Sequence, residues 1–284
     1  MNHQFSILIP SWNNLEFLKL CIQSIRDNSH FQHQILIHIN DGSDGSLDWV
    51  KSQSDLSYTH SKENIGVCFA LNLLRPLVKT DYMLYMNDDM FALPNWDKFL
   101  WDEIKMAKSD YFFYSSTMIE PIRSSNCVIV KDYGNSIQNF QKEKLLIEYE
   151  GLPFQDWYGS TWPPNILPTK LWDLVGGYSV EFSPGMYSDP DFSMKLWMAG
   201  VRDFKGISKS RVYHFGSKSV SRVKKNKGYY QFINKWGFTS SFLTKNILKR
   251  GEPYQNKDLE EFTIPLKIKL KSFFKRLQAI FILN

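Results

Sequence analysis

The sequence predicts an α/β fold: a mostly parallel central sheet flanked by helices, followed by a basic helical C-terminal region. Three observations carry this. Short apolar runs (Phe5 to Pro10, Ile35 to Ile39, Tyr82 to Met86) alternate with stretches whose apolar residues recur at helical spacing, as Leu15, Leu18, Ile22 and Ile25 do. The runs are apolar at consecutive positions, the pattern of strands covered on both faces. Polar clusters stand at their ends, where open α/β sheets bind ligands.

Composition narrows the class. With 284 residues and 43% hydrophobic content the chain can bury a large core, and no apolar run is long enough to span a bilayer. The first twenty residues lack a signal-peptide layout, and Cys21, Cys68 and Cys127 are scattered and odd in number. A reducing, cytoplasmic setting without a zinc site is expected. The net charge of +5 is uneven: Lys205 to Arg250 holds twelve basic and no acidic residues, leaving the rest of the chain at −7. That asymmetry suggests an anionic partner, and without a nucleic-acid-binding signature nucleic acid is not expected to be that partner.

In chain order, the first strand stops at Pro10 and a helix runs through Arg26. The second strand, Ile35 to Ile39, ends in the turn-forming loop Asn40-Asp41-Gly42-Ser43-Asp44-Gly45-Ser46, where Ser46 can cap a helix through Gln53. A short strand at Tyr58 to His60 precedes Asn64-Ile65-Gly66 and a helix through Val78. Tyr82 to Met86 follows, ending on Asn87-Asp88-Asp89. Adjacent carboxylates at a strand end suit a hard divalent cation, or else a simple Asx turn. A helix over Trp96 to Lys108 and a strand near Tyr111 to Tyr114 come next, then a region broken by Pro153, Pro163, Pro164 and Pro168. Thr169 to Val175 is a helix closed by Gly176-Gly177. Another opens at Ser188-Asp189-Pro190-Asp191, with Asp189 and Pro190 suited to N-cap and N1. Arg211 to Phe215 is the last expected strand.

The ordered set Ser6-Ile7-Leu8-Ile9-Pro10-Ser11-Trp12-Asn13, Asn40-Asp41-Gly42-Ser43, Asn64-Ile65-Gly66 with Asn72, Asn87-Asp88-Asp89, Val175-Gly176-Gly177-Tyr178, Asp189-Pro190-Asp191-Phe192 and Val212-Tyr213-His214-Phe215-Gly216 resembles the inverting family-two glycosyltransferases of the GT-A fold. The resemblance covers about residues 5–217 and implies a catalytic domain over 1–217, with a nucleotide-sugar half (1–115) and an acceptor half (116–217), before a basic region at 218–284.

The resemblance also implies roles. Pro10, Ser11 and Trp12 would cradle the nucleotide base, Asp41 would accept a hydrogen bond from it, and Asn64 and Gly66 would adjoin the diphosphate; turn, cap and packing roles explain the same residues. Asn87, Asp88 and Asp89 occupy the acidic metal motif, with Asn87 where Asp is usual; Asp89 would hold the ion with His214 as a further ligand. Such a shell suits Mn2+ or Mg2+. Asp189 would be the general base, with Asp191 the second candidate, although Ser188 replaces the usual Glu. Trp157, Trp162 and Trp172 would face the acceptor, with core packing the stronger reading of Trp172.

The implied activity is metal-dependent inverting transfer of a sugar from a nucleotide-sugar donor to a saccharide or lipid-linked saccharide acceptor, as in polysaccharide biosynthesis. The alternatives are a non-catalytic nucleotide- or sugar-binding protein and a sugar nucleotidyltransferase, although the latter is expected to carry a glycine-rich basic loop where Pro10 to Asn14 has neither glycine nor base. Independently, residues 264–284 place Leu266, Leu270, Phe273, Phe274, Leu277, Ile280 and Phe281 on one helical stripe, with five basic and no acidic residues. This predicts a helix lying on an anionic membrane surface, or docked on its own domain, and so a peripheral position on the cytoplasmic face.

Overall fold

The computed structural model describes residues 3–216 and 227–283. The expected boundary between residues 217 and 218 lies outside the described residues. So do Lys218, Arg222, Lys224 and Lys225 of the basic stretch.

The first half forms the expected βαβ units. Strand β1 (Ser6–Trp12) pairs in parallel with β2 (Gln34–Asn40) and with β4 (Tyr82–Tyr85), and β3 (Leu56–Ser61) extends the sheet beyond β2. Every residue of β2 is buried, the polar Gln34, His38 and Asn40 included, as in a strand covered on both faces. Helix α1 (Leu15–Asn28) buries Leu18, Cys21, Ile22 and Ile25, the stripe visible in the sequence. Helix α2 (Ser46–Lys51) starts one residue earlier than expected. Ser46 is inside it and caps nothing; Asp44 Oδ1 accepts the Ser46 N–H at 3.0 Å instead. Helix α3 (Gly66–Leu74) continues as a 3-10 turn to Leu77.

Beyond β4 the sheet becomes mixed, in the order β3-β2-β1-β4-β9-β6-β10-β5, with β7 beside β6 and β8 beside β10. Here β5 is Met90–Ala92, β6 Phe112–Glu120, β7 Val128–Val130, β8 Trp157–Tyr158, β9 Asn165–Pro168 and β10 Asp203–His214. Strand β9 inserts antiparallel to both β4 and β6, and β5 runs antiparallel to β10. Helices α4 (Trp96–Met106), α5 (Lys142–Glu148), α6 (Thr169–Val175) and α7 (Ser188–Met198) complete this half. Strand β10 begins eight residues before the expected Arg211. Its first half reads as polar because Lys205 is buried in ion pairs with Glu103 (2.7 Å) and Asp156 (3.0 Å). Gly206 lies where any Cβ would collide with the Trp157 ring.

The C-terminal region holds α8 (Gly228–Trp236), α9 (Ser240–Phe242), which runs into a π-helical turn at Leu243–Ile247, and α10 (Leu266–Leu283). Phe232, Phe238, Leu243, Leu248 and Leu259 share one buried cluster with Leu8, Phe113, Phe192 and Phe204 of the sheet and its helices. Part of the basic stretch is also consumed internally: Lys205 as above, Arg211 on the carbonyls of Ser208, Tyr149 and Leu152, and Lys235 on Glu181. Only α10 stands apart. Lys275 meets the Tyr229 hydroxyl of α8, and Ser272 and Ala279 are buried, while its Leu, Ile and Phe stripe is 41–83% exposed. Among the described residues no helix is long and apolar enough to cross a membrane.

Candidate active site

The carboxyl ends of β1, β4, β6 and β10 open onto a cavity of about 340 Å³, closed on another side by the Pro184–Asp189 segment. Pro10, Ser11, Trp12, Asn64, Gly66, Asn87, Asp88, Asp89, Asp189 and His214, expected from widely separated motifs, all line it. Asp41 is the exception. Its carboxylate accepts Asn13 Nδ2 at 2.8 Å and the Ser43 N–H at 3.2 Å, contacts that hold its pKa below the usual carboxylate value. Asn40 lines the cavity in its place, its Oδ1 accepting the Ile65 N–H at 2.9 Å.

Two expected contacts have a structural explanation. Asn64 Oδ1 accepts the Gly66 N–H at 2.9 Å, a local Asx turn. Gly66 has φ +79°, and a Cβ there would collide with Pro184, so this glycine admits the turn that closes the cavity.

Sheet register assembles the acidic end. The Met90–His214 pair of β5 and β10 brings Asp89 to the histidine, and the Tyr213–Ile119 pair of β10 and β6 brings Glu120 to its other side. His214 Nε2 lies 3.4 Å from Asp89 Oδ1, and Nδ1 lies 2.6 Å from Glu120 Oε1. Burial opposes protonation of this imidazole, but the two carboxylates overcome it and raise its pKa to about 10. Ser11 donates to Asp88 Oδ2 at 2.7 Å, fixing the neighbouring carboxylate.

Among the described residues no three His, Cys, Asp or Glu side chains form a metal cage by themselves. Asp89 and His214 nevertheless fit as two ligands of an ion whose remaining positions a diphosphate would fill. Glu120 on Nδ1 is the outer partner that orients a metal-ligating histidine. Among the described residues the lining presents Asp88, Asp89, Glu120 and Asp189 and no Lys or Arg.

Asp189 reaches the cavity from α7. The expected N-cap role does not hold: Tyr187, at φ +71°, is the N-cap, and Asp189 lies in the first turn with its carboxylate unclaimed by the helix. Burial raises its pKa to about 7, against the opposing effects of the Tyr178 hydroxyl and the Arg250 charge. Tyr178 is held in turn by Asn72, whose amide bonds both its N–H (3.0 Å) and its C=O (2.8 Å). Asp191 points elsewhere. It accepts Trp236 Nε1 at 2.8 Å, pairs with Lys235 at 2.9 Å and does not line the cavity.

Of the three tryptophans expected at the acceptor side, only Trp162 lines the cavity. Trp172 packs on Tyr178 and Phe192, and Trp157 is buried with Nε1 bonded to Thr117. Glu120 carries no clear signal in the sequence, because the strand it ends, Phe112–Glu120, has Ser115-Ser116-Thr117 at its centre. Arg250 carries no local signal.

Residues 6–131 match the glycosyl transferase family 2 profile. No curated protein matches the chain. Among solved structures, it is similar to S. aureus TarS 1–349 in complex with UDP (TM-score 0.56, 12% identity, covering 81% of this chain and 63% of that one). It is also similar to S. aureus TarS 1–349 (0.57, 13%, 98% and 72%) and to S. aureus TarS (0.55, 12%, 98% and 43%). This chain therefore spans less than two thirds of the UDP-bound relative, and at these identities the likeness is one of fold.

Proposed function

We propose that the chain, whose residues 6–131 match the glycosyl transferase family 2 profile and whose fold is similar to that of TarS, is a metal-dependent inverting transferase of that family with the GT-A fold. It moves a sugar from a nucleotide-sugar donor to a saccharide or lipid-linked saccharide acceptor. The observation that carries this reading is the cavity's charge: among the described residues that line it, Asp88, Asp89, Glu120 and Asp189 accompany the single imidazole of His214, a setting in which a divalent cation favours binding of an anionic diphosphate. Asp89 and His214 would hold Mn2+ or Mg2+, which supplies the positive charge that offsets the leaving diphosphate. UDP in the TarS complex supports a nucleotide donor.

Asp189, with a pKa near working pH, accepts the proton of the acceptor hydroxyl. The acceptor oxygen bonds to the anomeric carbon as the bond to the diphosphate oxygen breaks, and the nucleoside diphosphate departs with the electron pair. A single in-line displacement inverts the anomeric configuration. Trp12 offers the nucleotide base a stacking face, and Ser11 holds Asp88 in place.

The exposed apolar stripe of α10, flanked by Lys267, Lys269, Lys271, Lys275 and Arg276, supports attachment to an anionic lipid surface, where a lipid-linked acceptor resides. The function is tested by incubating the protein with a panel of nucleotide sugars, acceptor saccharides and Mn2+. Nucleoside diphosphate released with turnover, and stopped by chelator, supports the transferase. Binding without release is the result of a non-catalytic binding protein. Consumption of a sugar phosphate and nucleoside triphosphate identifies a nucleotidyltransferase.

A further inference from the structure

Among the described residues Arg250 is the one guanidinium beside this cavity, and it comes from far along the chain. Its carbon centre stacks 4.0 Å over the ring of Trp162, which lines the cavity. Its backbone is fixed on both sides: Arg250 N–H donates to Thr244 O at 2.8 Å and Gly251 N–H to Tyr158 O at 2.9 Å. Gly159 lacks the Cβ that would otherwise strike Arg250 Cβ at 2.8 Å. The position is built, not incidental.

Yet the guanidinium makes no hydrogen bond or ion pair with any described side chain or carbonyl, and residues 217–226 contain no Asp or Glu that could serve it. Every other buried cation here has such partners: Lys205 has two carboxylates and Arg211 three carbonyls. A partly buried, flat, bidentate donor without an anion is a site lacking its ligand. Its field falls on Asp189 and Cys127 and not on the Asp88–Asp89 end.

We propose that Arg250 and Trp162 form an anion subsite on the acceptor side of Asp189, taking a phosphate or carboxylate group carried by the acceptor saccharide. The inference rests on the transferase reading for the word acceptor, though not for the anion site. Trp162 fixes the plane of the guanidinium by stacking on it, and the guanidinium offers an anionic substituent of the acceptor two parallel N–H donors. An uncharged acceptor leaves the cation unpaired and binds more weakly.

The test is calorimetric titration of the full chain with inorganic phosphate, in the presence and absence of saturating UDP and Mn2+. Phosphate should bind in both conditions, tenfold or more weaker in Arg250→Gln and less weakened in Arg250→Lys, which keeps the charge but loses the fork. Circular dichroism confirms that each variant is folded, and Arg250→Lys serves if Arg250→Gln is not. Phosphate displaced by UDP would assign Arg250 to the donor diphosphate and overturn the acceptor assignment. Equal phosphate affinity in wild type and Arg250→Lys and Arg250→Gln, or none at millimolar concentration, would overturn the subsite. Failure of UDP to bind is a separate result: it removes the transferase reading and leaves the phosphate arm intact.

Discussion

The Tyr178 hydroxyl donates a 3.1 Å hydrogen bond to Asp189 Oδ1, and it is the only described side chain that does so. Tyr178 is itself locked through its backbone by Asn72 and stacked on Phe192 at 4.6 Å between ring centroids. The carboxylate thus has one oxygen oriented by a rigid phenol and the other available to the cavity. On the proposed reading this arrangement positions Asp189 as the base.

Replacing Tyr178 by Phe removes a bond that favours the charged carboxylate, so the Asp189 pKa rises further. A hydrogen bond to a charged group contributes about 1.5–3 kcal/mol, equivalent to roughly one to two pH units. The acidic limb of the kcat profile should lie near pH 7 in the wild type and move upward in Tyr178→Phe, with activity recovering at alkaline pH. An unmoved limb, or one near pH 4, would remove Asp189 from the base role.

Asp189→Asn should lower kcat by roughly 10² or more while leaving nucleoside diphosphate affinity nearly unchanged. Stability should respond in the opposite sense. The Asp189 pKa is raised from 3.8 to about 7, so the folded chain keeps a proton that the unfolded chain has lost between those values. Its contribution to stability falls as pH rises through that window. Asp189→Asn, which cannot ionise, should therefore melt higher than wild type at pH 8 and equally at pH 3. A lower melting temperature at pH 8 would mean that the carboxylate stabilises the fold.

How far this site was legible follows from where its parts lie. Strands β1, β2 and β4 and helix α1 were readable because each buries a periodic set of its own residues, with polar residues beginning where the strand ends. Asp89 and His214 were found through motifs at strand ends. Glu120 was not, because the run leading to it, Phe112–Glu120, contains Ser115, Ser116 and Thr117, buried and hydrogen-bonded to β9 neighbours, β10 and the loop after β8. The N-cap reading of Asp189-Pro190 failed for a tertiary reason: Tyr187 takes a left-handed conformation after the Ser183–Gly185 turn and starts the helix two residues early. Arg250 was beyond reach, since only the fold carries it to Trp162.

Glu120→Gln tests the orientation of His214. The Gln side chain is isosteric but does not hold the Nδ1 proton as firmly, and loss of such an outer partner typically weakens metal affinity 10–100-fold. Electron paramagnetic resonance of Mn2+ in the presence of nucleoside diphosphate should show this loss directly. Asp89→Ala should abolish the bound signal, and the nucleotide affinity should fall as it does on adding chelator. Identical nucleotide affinity with and without metal would refute the ion's role.

Asp191 should behave as a structural residue. Asp191→Leu deprives Trp236 Nε1 of its acceptor and Lys235 of one of its two carboxylates, and should destabilise the fold by about 1–3 kcal/mol. The Asp191→Asn variant keeps an oxygen for Trp236 and should retain most of the turnover per folded molecule. Turnover lost from Asp191→Asn with an unchanged melting temperature would reinstate Asp191 as a catalytic candidate.

Helix α10 rests on α8 through Lys275, with Ser272 and Ala279 buried, yet leaves Phe273, Phe274 and Phe281 more than half exposed. A helix that docked to complete the core would turn its largest apolar side chains inward; this one turns small and basic groups toward the domain. The outward stripe is accompanied by four exposed basic residues, Lys267, Lys269, Lys271 and Arg276, each contributing about 1 kcal/mol near an anionic surface. The full-length protein should sediment with anionic vesicles at low salt and be released at high salt, whereas a chain ending at Thr263 should stay in the supernatant. Phe273→Asp combined with Phe274→Asp should abolish binding without changing the melting temperature, because both side chains are exposed. If the full-length chain instead forms a dimer that this double substitution separates, and ignores vesicles, the stripe is a self-association surface and not a lipid one.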